Sequence, residues 1–125
     1  MRTLENLKIW SDSRSFVVAI YALLKDNRDY GFKDQIQRAA VSIMNNIAEG
    51  SEYGSDAQFV RYLRIAKGSC SEVRSMLYLC CDLGYCNEEQ GKQLHKQLAY
   101  ITTGIYRMIC YLEKKGPSEN SAGKQ

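Results

Sequence analysis

An all-α fold, an antiparallel up-down-up-down bundle of four helices, is what this 125-residue sequence predicts. Three observations carry the prediction. Apolar residues recur at spacings of three and four through four long segments, the period of a helix with one buried face. Short polar connectors containing glycine or asparagine separate those segments, which makes neighbouring helices antiparallel. The single proline, Pro117, lies near the C-terminus. Nothing therefore interrupts the helices, where an interior proline would cost ~3 kcal/mol. Strand-like alternation and internal repeats are both absent.

The first helix is expected from about Leu4 to Lys25. Ile9, Trp10, Phe16, Val17, Ile20, Tyr21, Leu23 and Leu24 gather on one side of it at 100° per residue, and its aromatic residues bring large areas to bury. Asp26 to Gly31 has turn chemistry and ends it. The second helix starts near Asp34, an acid suited to an N-cap or first turn. Ile36, Ala39, Ala40, Ile43, Ile47 and Gly50 form its main face. Val41, Met44 and Ala48 form a second apolar strip suited to a neighbouring subunit, and Asn46 at the border of the main face needs hydrogen-bond partners. Gly50 to Gly54 closes this helix.

Ser55 or Asp56 caps the third helix, which reaches about Leu83. Phe59, Leu63, Ala66, Cys70, Val73, Leu77 and Cys81 form the cleanest amphipathic stripe in the chain. Gly68-Ser69 inside it costs helix propensity, and the expected reason is close approach of another helix backbone. Gly84 ends the helix. Asn87 caps the fourth, with Glu88 and Glu89 in a first turn that favours negative charge. Leu94, Leu98, Ile101, Ile105, Met108, Ile109 and Leu112 face inwards, and Gly116-Pro117 stops the helix. Residues 1–116 are expected as one bundle domain and residues 117–125 as a disordered polar tail.

A chain of this length buries a core without metal or disulfide staples. Its net charge of +3 permits contact with nucleic acid without requiring it. The odd set of cysteines (Cys70, Cys80, Cys81, Cys86 and Cys110) and the lack of an apolar run in Met1 to Trp10 point to reduced thiols in the cytoplasm. No run of ~18 apolar residues exists to cross a membrane.

The segment Ser42-Ile43-Met44-Asn45-Asn46-Ile47-Ala48-Glu49-Gly50 resembles a motif of bacterial four-helix bundle proteins encoded in intervening sequences of large-subunit rRNA genes. That family carries Arg-Ala-x-x-Ser-Ile-x-x-Asn-Ile-Ala-Glu-Gly, matched by Arg38, Ala39, Ser42, Ile43, Asn46, Ile47, Ala48, Glu49 and Gly50. Its downstream Phe-x-x-Phe/Tyr-Leu-x-x-Ala-x-Gly-Ser-x-x-Glu segment is matched by Phe59, Tyr62, Leu63, Ala66, Gly68, Ser69 and Glu72. Leu7 to Trp10 and Leu83-Gly84-Tyr85 are also similar, so the resemblance spans about Leu4 to Leu112. Met44 departs from it, standing where many members have a helix-kinking proline. The resemblance implies a four-helix bundle that assembles into a ring-like homopentamer. It extends in fold to accessory proteins of diversity-generating retroelements, which bind nucleic acid and a reverse transcriptase.

The third helix also carries Arg61, Arg64, Lys67 and Arg74 within a sector of about 140° opposite its apolar stripe. Tyr78 shares the sector, and Arg38 on the second helix is a candidate neighbour. Such a basic face with an aromatic suits a phosphate backbone. A solvated face, or one making salt bridges between subunits, is the commoner use of such a pattern. A ring of subunits would multiply the patch and raise avidity.

Enzymatic and metal readings find less support. Glu49 and Glu72 are a conceivable acid–base pair, but no nucleophile or histidine accompanies them, and capping or an ion pair with Arg38 or Arg61 is the nearer reading. His95 follows Lys92 rather than the Glu of a Glu-x-x-His metal motif, and reads as a surface residue. Cys80, Cys81 and Cys86 lack the spacing of a zinc knuckle, and no phosphate loop is present. The expectation is a non-enzymatic binding module without cofactor or metal, contacting RNA or DNA through Arg38, Arg61, Arg64, Lys67 and Arg74. The alternative is a ring that docks another protein.

Overall fold

The structure, a computed structural model, describes residues 3–120, with side-chain surroundings to residue 114. A short 3-10 turn at Leu4–Asn6 leads into four helices: α1 (Lys8–Leu23), α2 (Tyr30–Ser51), α3 (Asp56–Asp82) and α4 (Glu88–Asn120). Each packs on the next, and α4 returns against α1, which closes an up-down-up-down bundle. No helix among the described residues is long and apolar enough to cross a membrane.

The cap residues explain where the helices begin. Ser55 accepts from the Gln58 amide at 3.2 Å and starts α3. Asn87 accepts from the Gln90 amide at 2.7 Å, while Gln90 Oε1 accepts from the Asn87 amide at 2.9 Å. This reciprocal pair satisfies two orphan donors at the start of α4. The start of α2 corrects the sequence reading. Asp29, not Asp34, is its N-cap, accepting from the Phe32 amide at 3.2 Å. Gly31 lies in the first turn at negative φ, so it is helical rather than a breaker. Tyr85 fixes the cap from outside, donating to Asp29 at 2.6 Å and meeting the Phe32 ring edge-on at 5.4 Å. This contact ties the α1–α2 corner to the α3–α4 corner.

Gly84, with φ of 76°, supplies the left-handed residue after α3. The other end differs from expectation: α4 runs through Gly116 and Pro117 to Asn120. Proline removes one N–H and crowds only the preceding turn, which can bend a helix without ending it. The remainder of the expected tail, residues 121–125, lies outside the described residues.

Phe16, Ile20, Ile36, Ile43, Ile47, Phe59, Leu63, Leu77, Ile101 and Ile105 fill the bundle axis with almost no exposure. Burying each such side chain stabilises the fold by about 1.5–3 kcal/mol. Three details differ from the expected faces. Tyr21 is exposed, and Ser13 occupies the α1 core instead, its hydroxyl donating to the Ile9 carbonyl at 2.7 Å. Cys80 rather than Cys81 completes the α3 stripe. A Cβ added at Gly68 would meet no other helix within 4 Å among the described residues. The close approach between α2 and α3 falls instead at Gly50, where an added Cβ would lie 2.7 Å from Tyr62 Cβ.

Candidate nucleic-acid interface

The structure places the four basic residues of α3 outside the core but distributes them over two directions. Arg61 lies on the outermost strip with Ile65, Gly68 and Leu79, a strip about 60° wide at 100° per residue. It contacts Gln58 at 3.4 Å and stands 5.7 Å over the Tyr62 ring. Lys67 and Arg74 lean towards α4. Lys67 Nζ lies 5.3 Å from the Tyr106 ring centre and the Arg74 guanidinium 5.9 Å from that of Tyr78. Arg64, between the two directions, bridges to Glu113 on α4. Arg38 on α2 pairs with Asp34 one turn earlier at 2.8 Å. The cations are thus on the surface, but Arg38 and Arg64 already have carboxylate partners. Such exposed pairs are worth ~1 kcal/mol or less, so a phosphate can displace them.

A crevice of about 350 Å³ opens between α3 and α4, lined among others by Cys70, Arg74, His95 and Thr102. His95, expected at the surface from sequence, is half-buried. Its ring lies 4.4 Å from that of Tyr78, and its Nε2 is buried without a hydrogen-bond partner. Burial, and then the nearby Arg74 charge, hold its pKa below the ordinary 6.5. The imidazole is therefore neutral at pH 7. No signal in the sequence marked this crevice, because it arises from the pairing of two helices.

The two carboxylates have structural surroundings. Glu72 accepts from Gln35 across the α2–α3 seam at 3.5 Å. Glu49 lies beside Tyr62, whose ring stacks on Tyr53 at 5.4 Å and whose pKa is raised chiefly by the hydroxyl contact with Tyr53. Among the described residues, neither forms the expected ion pair with Arg38 or Arg61, which meet Asp34 and Gln58 instead. Cys81 and Cys86 meet Sγ to Sγ at 3.2 Å. All five thiols are free, and burial pushes that of Cys70 up to about 11. Among the described residues, no cluster of His, Cys, Asp or Glu could hold a metal ion.

The two sequence motifs meet each other in space. Ser42 Oγ and Ser69 Oγ are 2.9 Å apart, and the Asn46 amide donates to the Ser42 hydroxyl at 3.0 Å and the Ser42 carbonyl at 2.9 Å. Gln35 reaches Glu72, and Gly50 admits Tyr62. Ala39, Ile43, Ile47, Phe59, Leu63 and Ala66 supply the apolar side of the same contact. These motifs are therefore the adhesive of the α2–α3 pair, and the basic residues lie around it.

Fold and motif geometry together define a small helical bundle in which a cluster of polar contacts fastens α2 to α3. Residues 5–107 match the 23S rRNA-intervening sequence protein family, and the chain belongs to that family. Among solved structures it is similar to a protein of unknown function from the S23 ribosomal protein family of Bacteroides thetaiotaomicron. The two share 27% identity and a TM-score of 0.76, over 81% of this chain and 97% of that one. No curated protein matches the sequence.

Proposed function

We propose that this protein is a non-enzymatic, oligomeric binding module of the cytoplasm that contacts RNA or DNA through the basic outer side of α3. The observation that carries the reading is the placement of Arg61, Lys67 and Arg74 over exposed or half-exposed tyrosine rings, with Arg64 between them. Cations so placed neutralise phosphates, while the rings offer apolar faces. Recognition of this kind tolerates sequence, since it positions a backbone rather than reading base edges.

The oligomer is a homopentamer in this reading. Its support is the apolar surface left on the outside of α3, where Ile65 and Leu79 are 44% and 45% exposed beside the open Gly68 backbone. Arg61 on that strip then stands at the rim of the subunit contact, and Arg64, Lys67 and Arg74 on the side towards α4 stay open. The second strip of α2, Val41, Met44 and Ala48, is half-buried and offers less. A second function, docking of another protein, is favoured by the same apolar strip and by the acid partners of Arg38 and Arg64.

A gel-shift assay with structured RNA and duplex DNA, beside an Arg61→Ala/Arg64→Ala/Lys67→Ala variant, separates these readings. Binding that the variant loses supports the basic face. Assembled protein that shifts neither ligand at low salt contradicts it and leaves the docking function.

A further inference from the structure

We propose that the nucleic acid taken by this protein is single-stranded, and that it lies along the α3–α4 seam with bases stacked on Tyr106 and Tyr78. The inference rests on the nucleic-acid reading above and makes it specific. Three features of the seam lead to it.

The first is the order of side chains. Lys67 faces Tyr106, Cys70 shares the crevice with Thr102, and Tyr78 meets His95. Residue numbers rise along α3 as they fall along α4, so these groups follow one another along the seam. Lys67 and Tyr78 are eleven residues apart, about 16 Å at 1.5 Å per residue. Cations and rings therefore alternate along one line, as a strand alternates phosphates and bases.

The second is the exposure of the rings. Tyr78 and Tyr106 are 55% and 54% exposed. About half of each ring is open to solvent; Arg74 and His95 lie against Tyr78, and Lys67 lies over Tyr106, whose hydroxyl contacts Cys110. An exposed cation–π contact is weaker than base–aromatic stacking. A base can take the ring while the cation swings to the adjoining phosphate. A duplex cannot use these rings, because its bases are already stacked inside it.

The third is the unpartnered His95 Nε2 beside the crevice. A neutral imidazole offers one donor and one acceptor. The crevice walls add the Thr102 and Ser71 hydroxyls and the Arg74 guanidinium. The hydroxyls and the guanidinium suit the edge of an unpaired base, and the His95 Nε2 buried behind them has a partner to gain.

Fluorescence anisotropy with labelled oligouridine, oligothymidine and a mixed-sequence duplex tests the inference on the full-length protein. The single strands should bind more tightly than the duplex. Tyr78→Ala/Tyr106→Ala should weaken single-strand binding by about tenfold or more, since each base–aromatic stack lost is worth that much. Tyr78→Phe/Tyr106→Phe should restore it, because phenylalanine keeps the ring. Duplex binding at least as tight as single-strand binding, with no effect of the alanine pair, overturns the single-strand inference and leaves the broader reading standing. Absence of binding to all three probes overturns both. Both tyrosines are surface residues of helices, and alanine favours the helix, so the variants remain folded bundles.

Discussion

Single residues in this bundle have environments that the linear pattern conceals. His95 stands one position after the core residue Leu94 and carries no motif, so a surface position was the natural reading. Its burial depends on which side of α4 meets Tyr78 and Arg74, a property of the helix pair. A consequence for stability follows. The folded-state pKa lies below the unfolded value of 6.5, so the unfolded chain binds a proton more readily. Stability is full above that value and declines as pH falls from about 6.5 through the lower folded value. Urea denaturation at pH 7 and pH 5 should show this loss, and His95→Phe should remove that part of it. The capping role of Asp29 is hidden in the sequence for a related reason. Its neighbours Asp26 to Gly31 are turn-forming by composition, yet Tyr85, distant in sequence, holds Asp29 in position as a cap. Its carboxyl is held below the usual range, first by the Tyr85 bond and then by the Phe32 amide.

At the scale of the element, the helices were legible because each buries a continuous face. Ile36, Ala39, Ala40, Ile43, Ile47 and Gly50 were all assigned to the core side of α2, and all are buried. The period leaves a choice between i+3 and i+4, and Cys80 and Cys81 fall on that choice. Packing against the other helices selects Cys80. Gly68 shows the limit more plainly: a mid-helix glycine suggests a close approach, yet a Cβ added there would meet nothing within 4 Å. Gly50, by contrast, marks a contact within the chain. Gly50→Ala should therefore cost about 1–3 kcal/mol, the range for overpacking, because the new Cβ meets a Cβ of Tyr62 that cannot rotate away. Ile43→Ala removes a fully buried side chain and should cost about 2–5 kcal/mol. Chemical denaturation of the two variants measures both.

For the whole molecule, the family motifs and the basic face are separate features. The motifs fasten α2 to α3 through Ser42, Asn46 and Ser69, which explains why they read so clearly as a signature and so poorly as an active site. The candidate interface was legible in part: Lys67, Arg74 and Tyr78 were on one side of a predicted helix. What the sequence concealed is the contribution of α4, whose Tyr106 and His95 complete the seam only after the bundle closes. Assembly belongs to this scale too. Light scattering should give five times the 14.3 kDa protomer mass, and Ile65→Asp/Leu79→Asp should return the monomer. A wild-type protein that stays at the protomer mass contradicts the pentamer.

On the proposed reading, the outer side of α3 neutralises phosphates. The most direct measurement is the affinity for an oligonucleotide across a salt series, for the wild type and for Arg61→Ala/Arg64→Ala/Lys67→Ala. Neutralising four phosphates per protomer predicts a log–log slope of roughly −3 to −4, with the variant shallower and weaker at every salt concentration. A flat salt dependence, or an unchanged slope in the variant, would contradict the claim.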